Sequence, residues 1–153
     1  MEEKKTMICT LGQYDIPIVQ KQPLFQVDLL DKNIALFGTS MSGKTNFLKL
    51  LIQTLHMTNN VYDEQIFILD FGGALASYKD FPLVSAYFDN SNEEYVKRAF
   101  KILEEIIKSN TKNLDGIGFS SFNGEKKMIH TTFIIDNLNA FQDEPRYLAY
   151  QEK

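Results

Sequence analysis

The stretch Asn33-Ile34-Ala35-Leu36-Phe37 runs directly into Gly38-Thr39-Ser40-Met41-Ser42-Gly43-Lys44-Thr45, and an apolar-periodic segment from Asn46 to Leu55 follows at once. A short buried strand, a loop with two glycines and a Lys-Thr pair, and then a helix is the order in which a chain builds a phosphate cradle. Gly38 and Gly43 let the backbone curl so that successive N–H groups face one anion, and the positive end of the following helix adds to the same field. Lys44 is placed to reach the β- and γ-phosphates of a nucleotide and the Thr45 hydroxyl to hold Mg²⁺, with Thr39, Ser40, Met41, Ser42 and Asn46 completing the loop. A chain that carries this unit is committed to an α/β fold with a mostly parallel sheet.

The rest of the chain supplies further elements of such a sheet. Met7 to Leu11 reads as a short strand and Phe25 to Leu29 alternates with period 2, so residues 1–32 are expected to be a charged tail and a small flanking β element, with residues 33–153 forming the nucleotide-binding core. Gln65 to Asp70 is a second buried strand closed by an acid, Leu83 to Phe88 a further short one, and Thr131 to Asn137 a third apolar run again ending on an acid. Ser91-Asn92-Glu93-Glu94 has the spacing of a capping box, which makes Ser91 the expected cap of the helix that follows. Val96, Ala99, Phe100, Leu103, Ile106 and Ile107 recur at helical spacing and are expected in the core, while Glu93 with Lys97, Glu94 with Arg98 and Glu104 with Lys108 form a solvated face. Asn110 to Lys127 reads as a long loop with one short helix around Phe119 to Phe122, and Phe141 to Tyr150 as the beginning of another helix.

Composition narrows the class. The 153 residues are 44% hydrophobic and 24% charged, as in an ordinary globular domain, and the formal net charge of −4 gives no global reason to bind a polyanion. Cys9 is the single cysteine, which excludes an internal disulfide framework. No apolar run approaches the roughly 18 residues of a bilayer span, so the chain itself reads as cytosolic.

A phosphate loop needs a carboxylate at the end of a neighbouring strand to hold the metal's water shell, and Asp136, after four apolar residues, fits that role better than Asp70. In ATP-hydrolysing relatives of this architecture the next residue is usually Glu; here it is Asn137, whose amide holds a water but cannot take its proton. Asp70-Phe71-Gly72-Gly73 satisfies the D-x-x-G pattern of signalling GTPases and provides an alternative reading as a switch. No N-K-x-D tetrapeptide accompanies it, and the interval from Lys44 to Asp70 is short for a helix, a switch loop and a strand. The Asp70-Phe71-Gly72 triplet lacks the other kinase signatures. His56 and His130 have no Cys or acid at ligand spacing. Most Tyr and Phe residues fall on apolar-periodic positions and are expected in the core.

Taken together, Tyr14-Asp15-Ile16-Pro17, Gly38 to Thr45, Ile68-Leu69-Asp70-Phe71-Gly72, Ser120-Ser121-Phe122-Asn123 and Phe133-Ile134-Ile135-Asp136-Asn137 resemble the FtsK/SpoIIIE family of RecA-like ATPases. The closer resemblance is to a C-terminal module of the coupling ATPase of Gram-positive type VII secretion. The resemblance implies a three-layer α/β/α P-loop domain that binds ATP and Mg²⁺, with Thr45 and Asp136 at the metal and Asn137 at a degenerate base position. It implies a regulatory or coupling role with weak or absent hydrolysis, other ATPase modules in the same polypeptide behind a membrane anchor, hexameric neighbours and secreted protein substrates. An active motor moving protein or DNA is the alternative, although the segment has no basic stripe for DNA. The strands that this fold places after Asp136, one of them between the phosphate-loop and metal strands, are missing from the sequence, which therefore reads as a fragment of a longer protein with a gap in its sheet.

Overall fold

β3 (Glu64–Asp70) is the strand on which the sheet is built: Glu64 and every residue from Ile66 to Asp70 are buried, the continuous pattern of a parallel strand covered on both faces. A computed structural model describes this chain over residues 7–30, 33–114, 128–143 and 145. These fall into two compact units, one up to Asn59 and one from Asn60 onward.

In the first unit β1 (Ile8–Gln13) and β2 (Leu24–Asp28) pair antiparallel, with a register shift between Thr10 and Gly12. Their connection is tied by the Tyr14 N–H to the Pro23 carbonyl at 2.8 Å and by paired bonds between Ile16 and Lys21. The Asp28 carboxylate accepts the N–H groups of Met7 and Leu30, fastening both ends of the hairpin. α1 (Lys44–Thr58) packs against β1. Each has one buried face: Cys9 and Leu11 alternate on the strand, and Leu51, Ile52 and Leu55 recur at helical spacing.

The expected strand before the phosphate loop does not form. Residues 33–37 have no strand pairing, Ile34 is 44% exposed and Phe37 93%. An apolar run becomes a strand only beside a neighbour that takes up its N–H and C=O groups, and among the described residues none pairs with this one.

The second unit is a parallel sheet in the order β4-β3-β5, where β4 is Val84–Asp89 and β5 is His130–Asp136. β3 and β5 stay in register along their full length, from Glu64 opposite His130 to Asp70 opposite Asp136. α2 (Glu93–Leu114) follows β4, so the long loop expected from Asn110 begins instead with five residues of helix; residues 115–127, including the segment around Phe119 to Phe122, lie outside the described residues. Its cap is Asn92, whose Oδ1 accepts the Glu94 N–H at 2.9 Å; Ser91 does not serve, because its hydroxyl is bonded to Asp89. Val96, Ala99, Phe100 and Ile106 face the core as expected, but Ile107 is exposed and Ile102 packs inward. Lys97 meets both Glu93, at 2.7 Å, and Glu94, at 3.3 Å.

α3 (Leu138–Gln142) starts earlier than the expected Phe141 and is capped by Asp143; of the rest of that expected helix only residue 145 is among the described residues. Phe141 stacks on Phe100 with ring centres 5.3 Å apart, joining α3 to α2 over Phe67, Leu69 and Phe71. The opposite face of the sheet, with Ile66, Ile68 and Ile134, is buried as well. Several aromatic residues expected in the core are instead exposed, Phe37 and Tyr62 most of all.

Candidate functional site

The phosphate loop belongs to the first unit. A Cβ added at Gly38 would collide with the Ser42 side chain as it stands, so the serine would have to move to make room for it. Met41 and Gly43 both sit in the left-handed region, with φ of 61° and 91°. The Ser42 N–H bonds to the Thr39 carbonyl at 3.3 Å, and α1 begins directly behind Gly43, whose carbonyl accepts the Phe47 N–H at 2.9 Å. The Lys44 ammonium turns back into the loop and donates to the carbonyls of Gly38 at 2.8 Å and Thr39 at 2.7 Å, with the Ser42 hydroxyl at 3.4 Å. Three N–H bonds thus meet three neutral acceptors at an exposed position, where a charged phosphate oxygen is the stronger competitor. Met41 to Asn46 line an open depression at the start of α1.

Asp70, Asp136 and Asn137 belong to the second unit. The chain leaves β3 to form β4 on one side and returns as β5 on the other. This reversal makes the carboxyl ends of β3 and β5 the place where an open α/β sheet has its crevice. Asp70 and Asp136 stand side by side there in register, both buried. Asp136 Oδ1 accepts the Asn137 N–H at 2.9 Å, and Asn137 itself is left-handed, with φ 61° and ψ 53°, at the head of α3. The resemblance of the two acids in sequence ends at their hydrogen bonds. Asp70 Oδ1 accepts the N–H groups of Gly72 and Gly73 at 3.1 and 2.8 Å, and Oδ2 accepts the Leu75 N–H at 2.9 Å and the Tyr87 hydroxyl at 2.8 Å. A carboxylate has about four lone-pair sites, and four donors fill them. Asp70 therefore holds its own loop, with its lone pairs taken up by these donors, and the N–H of Gly73, the last residue of the D-x-x-G pattern, is turned inward to it.

Tyr87 was not legible as a polar partner, because it stands in an apolar strand; a buried tyrosine hydroxyl's need of a bond is the only signal. Its phenol is pushed above the usual range, first by burial, then by the hydrogen bond to Asp70 and the charges of Asp70 and Asp89. A second pair that the sequence left apart closes the other end of the sheet. His130 Nδ1 lies 2.5 Å from Glu64 Oε2, Glu64 is fully buried, and its Oε1 has no partner.

The FtsK/SpoIIIE family model matches residues 4–142. The chain belongs to the FtsK/SpoIIIE family. This FtsK/SpoIIIE chain is 28% identical over 151 residues to the type VII secretion system protein EssC of Staphylococcus aureus, a match covering 94% of the chain and 10% of that protein. It is 31% identical over 101 residues to the ESX-4 secretion system protein EccC4 of Mycobacterium tuberculosis, covering 64% of the chain and 8% of that protein. It thus spans about a tenth of the length of the curated relatives it matches. Among solved structures it superposes on EssC (ATPases 2 and 3) from Geobacillus thermodenitrificans with a TM-score of 0.80 at 21% identity, over 94% of this chain and 28% of that one. Thermomonospora curvata EccC (ATPases 2 and 3), in complex with a signal sequence peptide, gives 0.79 at 18% identity, over 99% and 30%. The α/β fold with its parallel sheet is therefore one that this FtsK/SpoIIIE domain shares with the EssC and EccC ATPases.

Proposed function

We propose that this domain binds ATP with Mg²⁺ as a regulatory or coupling module of a type VII secretion ATPase, with weak or absent hydrolysis. The observation that carries the reading is the phosphate loop: a glycine at Gly38 that leaves room for the Ser42 side chain, a left-handed Gly43, a lysine held by exchangeable neutral acceptors, and a helix start immediately behind. Residues Gly38 to Asn46 would hold the phosphates, and Thr45 and Asp136 the metal. When bound, Mg²⁺ neutralises charge on the β- and γ-phosphates. Lys44 exchanges two carbonyls and a hydroxyl for phosphate oxygens, and the first turn of α1 adds its dipole. Asn137 orients a water by hydrogen bonds and leaves its proton in place, which is why we assign binding rather than brisk turnover.

In this reading residues 33–153 are the nucleotide-binding core of a RecA-like three-layer domain, residues 1–32 flank it, and the whole is the cytoplasmic part of a membrane-anchored protein of a Gram-positive bacterium. Other ATPase modules of one polypeptide and neighbouring copies in a hexamer are its partners. The signal sequence peptide bound to Thermomonospora curvata EccC supports secreted proteins, and not DNA, as the class of substrate. The GTPase-like alternative is the less favoured reading, because Asp70 and the Gly73 N–H of its D-x-x-G pattern are bonded to each other. Calorimetric titration of the wild type and Lys44→Ala with ATP–Mg²⁺ tests the proposal: binding in the first and not the second supports it, and equal affinity removes it. Competition by GTP against a fluorescent ATP analogue tests the base, with weaker displacement by GTP expected.

A further inference from the structure

Three of the four donors to Asp70 come from the loop that immediately follows it, so the chain from Phe71 to Leu75 is wound around one buried carboxylate. The fourth, the Tyr87 hydroxyl, ties that carboxylate to β4. The loop then meets the end of β5. The Phe71 N–H donates to the Asp136 carbonyl at 3.3 Å, and a Cβ built on Gly72 would stand 3.9 Å from Asn137 Nδ2. The exposed amide of Asn137 therefore lies near Gly72, a position that carries no side chain, beside a backbone whose course is dictated by Asp70.

We propose that Asp70 and Tyr87 are positioning residues: they hold the Phe71–Leu75 loop as the wall against which the side chain at 137 rests, and so fix how that side chain is presented at the crevice. The role assigned to position 137 rests on the nucleotide reading above; the wall itself does not. Tyr87 makes the idea separable from mere packing, because Tyr87→Phe keeps the ring and removes only the bond to Asp70. Gly72→Ala acts from the other side. Its methyl would make an ordinary van der Waals contact with the Asn137 amide, so the fold tolerates it while the amide gains an apolar neighbour that its resonances report.

The test follows the side-chain NH₂ resonances of Asn137 and the backbone amides of Gly72, Gly73 and Leu75 by ¹⁵N NMR in the full chain, with and without ATP–Mg²⁺. Removing one hydrogen bond to a charged group is worth about a tenfold change in a local opening equilibrium. In Tyr87→Phe we therefore expect exchange at Gly73 and Leu75 to rise about tenfold and the Asn137 NH₂ signals to shift or broaden. Gly72→Ala should move the Asn137 signals with little change in exchange. Asn137 signals that stay unchanged in both variants would overturn the proposal, leaving Asp70 and Tyr87 a purely structural pair. An ATP-induced shift of the Asn137 amide in the wild type, reduced in Tyr87→Phe at unchanged ATP affinity, is expected if the nucleotide reading holds. A wild type that does not bind ATP would remove that reading alone, since the ligand-free spectra still decide whether the wall positions the side chain.

Discussion

Lys44 and Asp70 are each held by a glycine-containing loop of their own, with opposite polarity. The lysine gathers the carbonyls of Gly38 and Thr39 and the Ser42 hydroxyl; the aspartate gathers the N–H groups of Gly72, Gly73 and Leu75. The difference is solvent. Around Lys44 the loop is open, with Met41 fully exposed, whereas Asp70 is 0% exposed and takes a fourth donor from β4. In water a set of neutral acceptors holds an ammonium by a small net margin, so a ligand of higher charge displaces them. In the low-dielectric interior the same number of bonds cannot be given up without leaving polar groups unpaired. One charged loop thus holds its charge by bonds that are open to exchange, and the other is fixed into the fold of its own unit.

That contrast is broken or sharpened first by Asp70→Ala. It strands three N–H groups and the Tyr87 hydroxyl, and with a cost of roughly 1–3 kcal/mol for each buried group left unsatisfied it should destabilise the fold by about 4 kcal/mol or more. Urea unfolding measures this, and a loss under about 1 kcal/mol would mean that the loop is not organised by the carboxylate. Lys44→Ala should do the reverse: stability within about 0.5 kcal/mol of wild type, as for an exposed side chain, but ATP affinity lower by about 100-fold, equivalent to about 2.7 kcal/mol. A large loss of stability there would erase the distinction between the two loops. Asn137→Glu is the next step down. General-base catalysis contributes ~10²–10⁴-fold when the pocket is complete, and a restored carboxylate should recover at least about tenfold of that in phosphate release. Brisk wild-type turnover, indifferent to both Asn137→Glu and Asp136→Ala, would show that the metal strand has been misassigned.

Most of the second unit was legible because buried parallel strands and an amphipathic helix leave strong patterns: β3, β4, β5 and most of α2 lie within a few residues of where periodicity puts them. Composition could not say whether Ile34 to Phe37 has a neighbour to pair with, and that, rather than its apolar character, decides whether it is a strand. The sequence ranked Asp136 above Asp70 for the metal, but it gave no sign that Asp70 is held by four donors, since those come from the folded loop and from β4. The pairing of His130 with Glu64, 66 positions apart, depends on the register of β3 against β5. Ser91 had the capping spacing, but Asp89 engages its hydroxyl and Asn92 caps the helix instead. In the candidate site, the phosphate loop could be read residue by residue because its chemistry is local; the wall beside Asn137 could not, because it is assembled from β3, β4 and β5.

The smallest effect is expected at Tyr87, and alkaline pH brings it out. Burial and the Asp70 carboxylate hold the phenol above its usual value, so the folded state keeps the proton more tightly than the unfolded chain, where a tyrosine titrates near ~10. Because the folded-state value is raised, this contribution to stability is fully present below about pH 10 and is lost as pH rises toward the folded-state value. For one proton the slope approaches about 1.4 kcal/mol per pH unit. Lysines and the other tyrosines titrate over the same range, so the quantity to measure is the difference between wild type and Tyr87→Phe in urea unfolding at steps from pH 7 to pH 11. Below pH 10 the variant should be less stable by about 1.5 kcal/mol, the low end of the net worth of a hydrogen bond to a charged group. Above pH 10 the wild type should fall toward it, so that the two curves converge. Parallel curves throughout would mean that the Tyr87 proton is not shared with a buried Asp70, and the scaffold loop would then be as exchangeable as the one around Lys44.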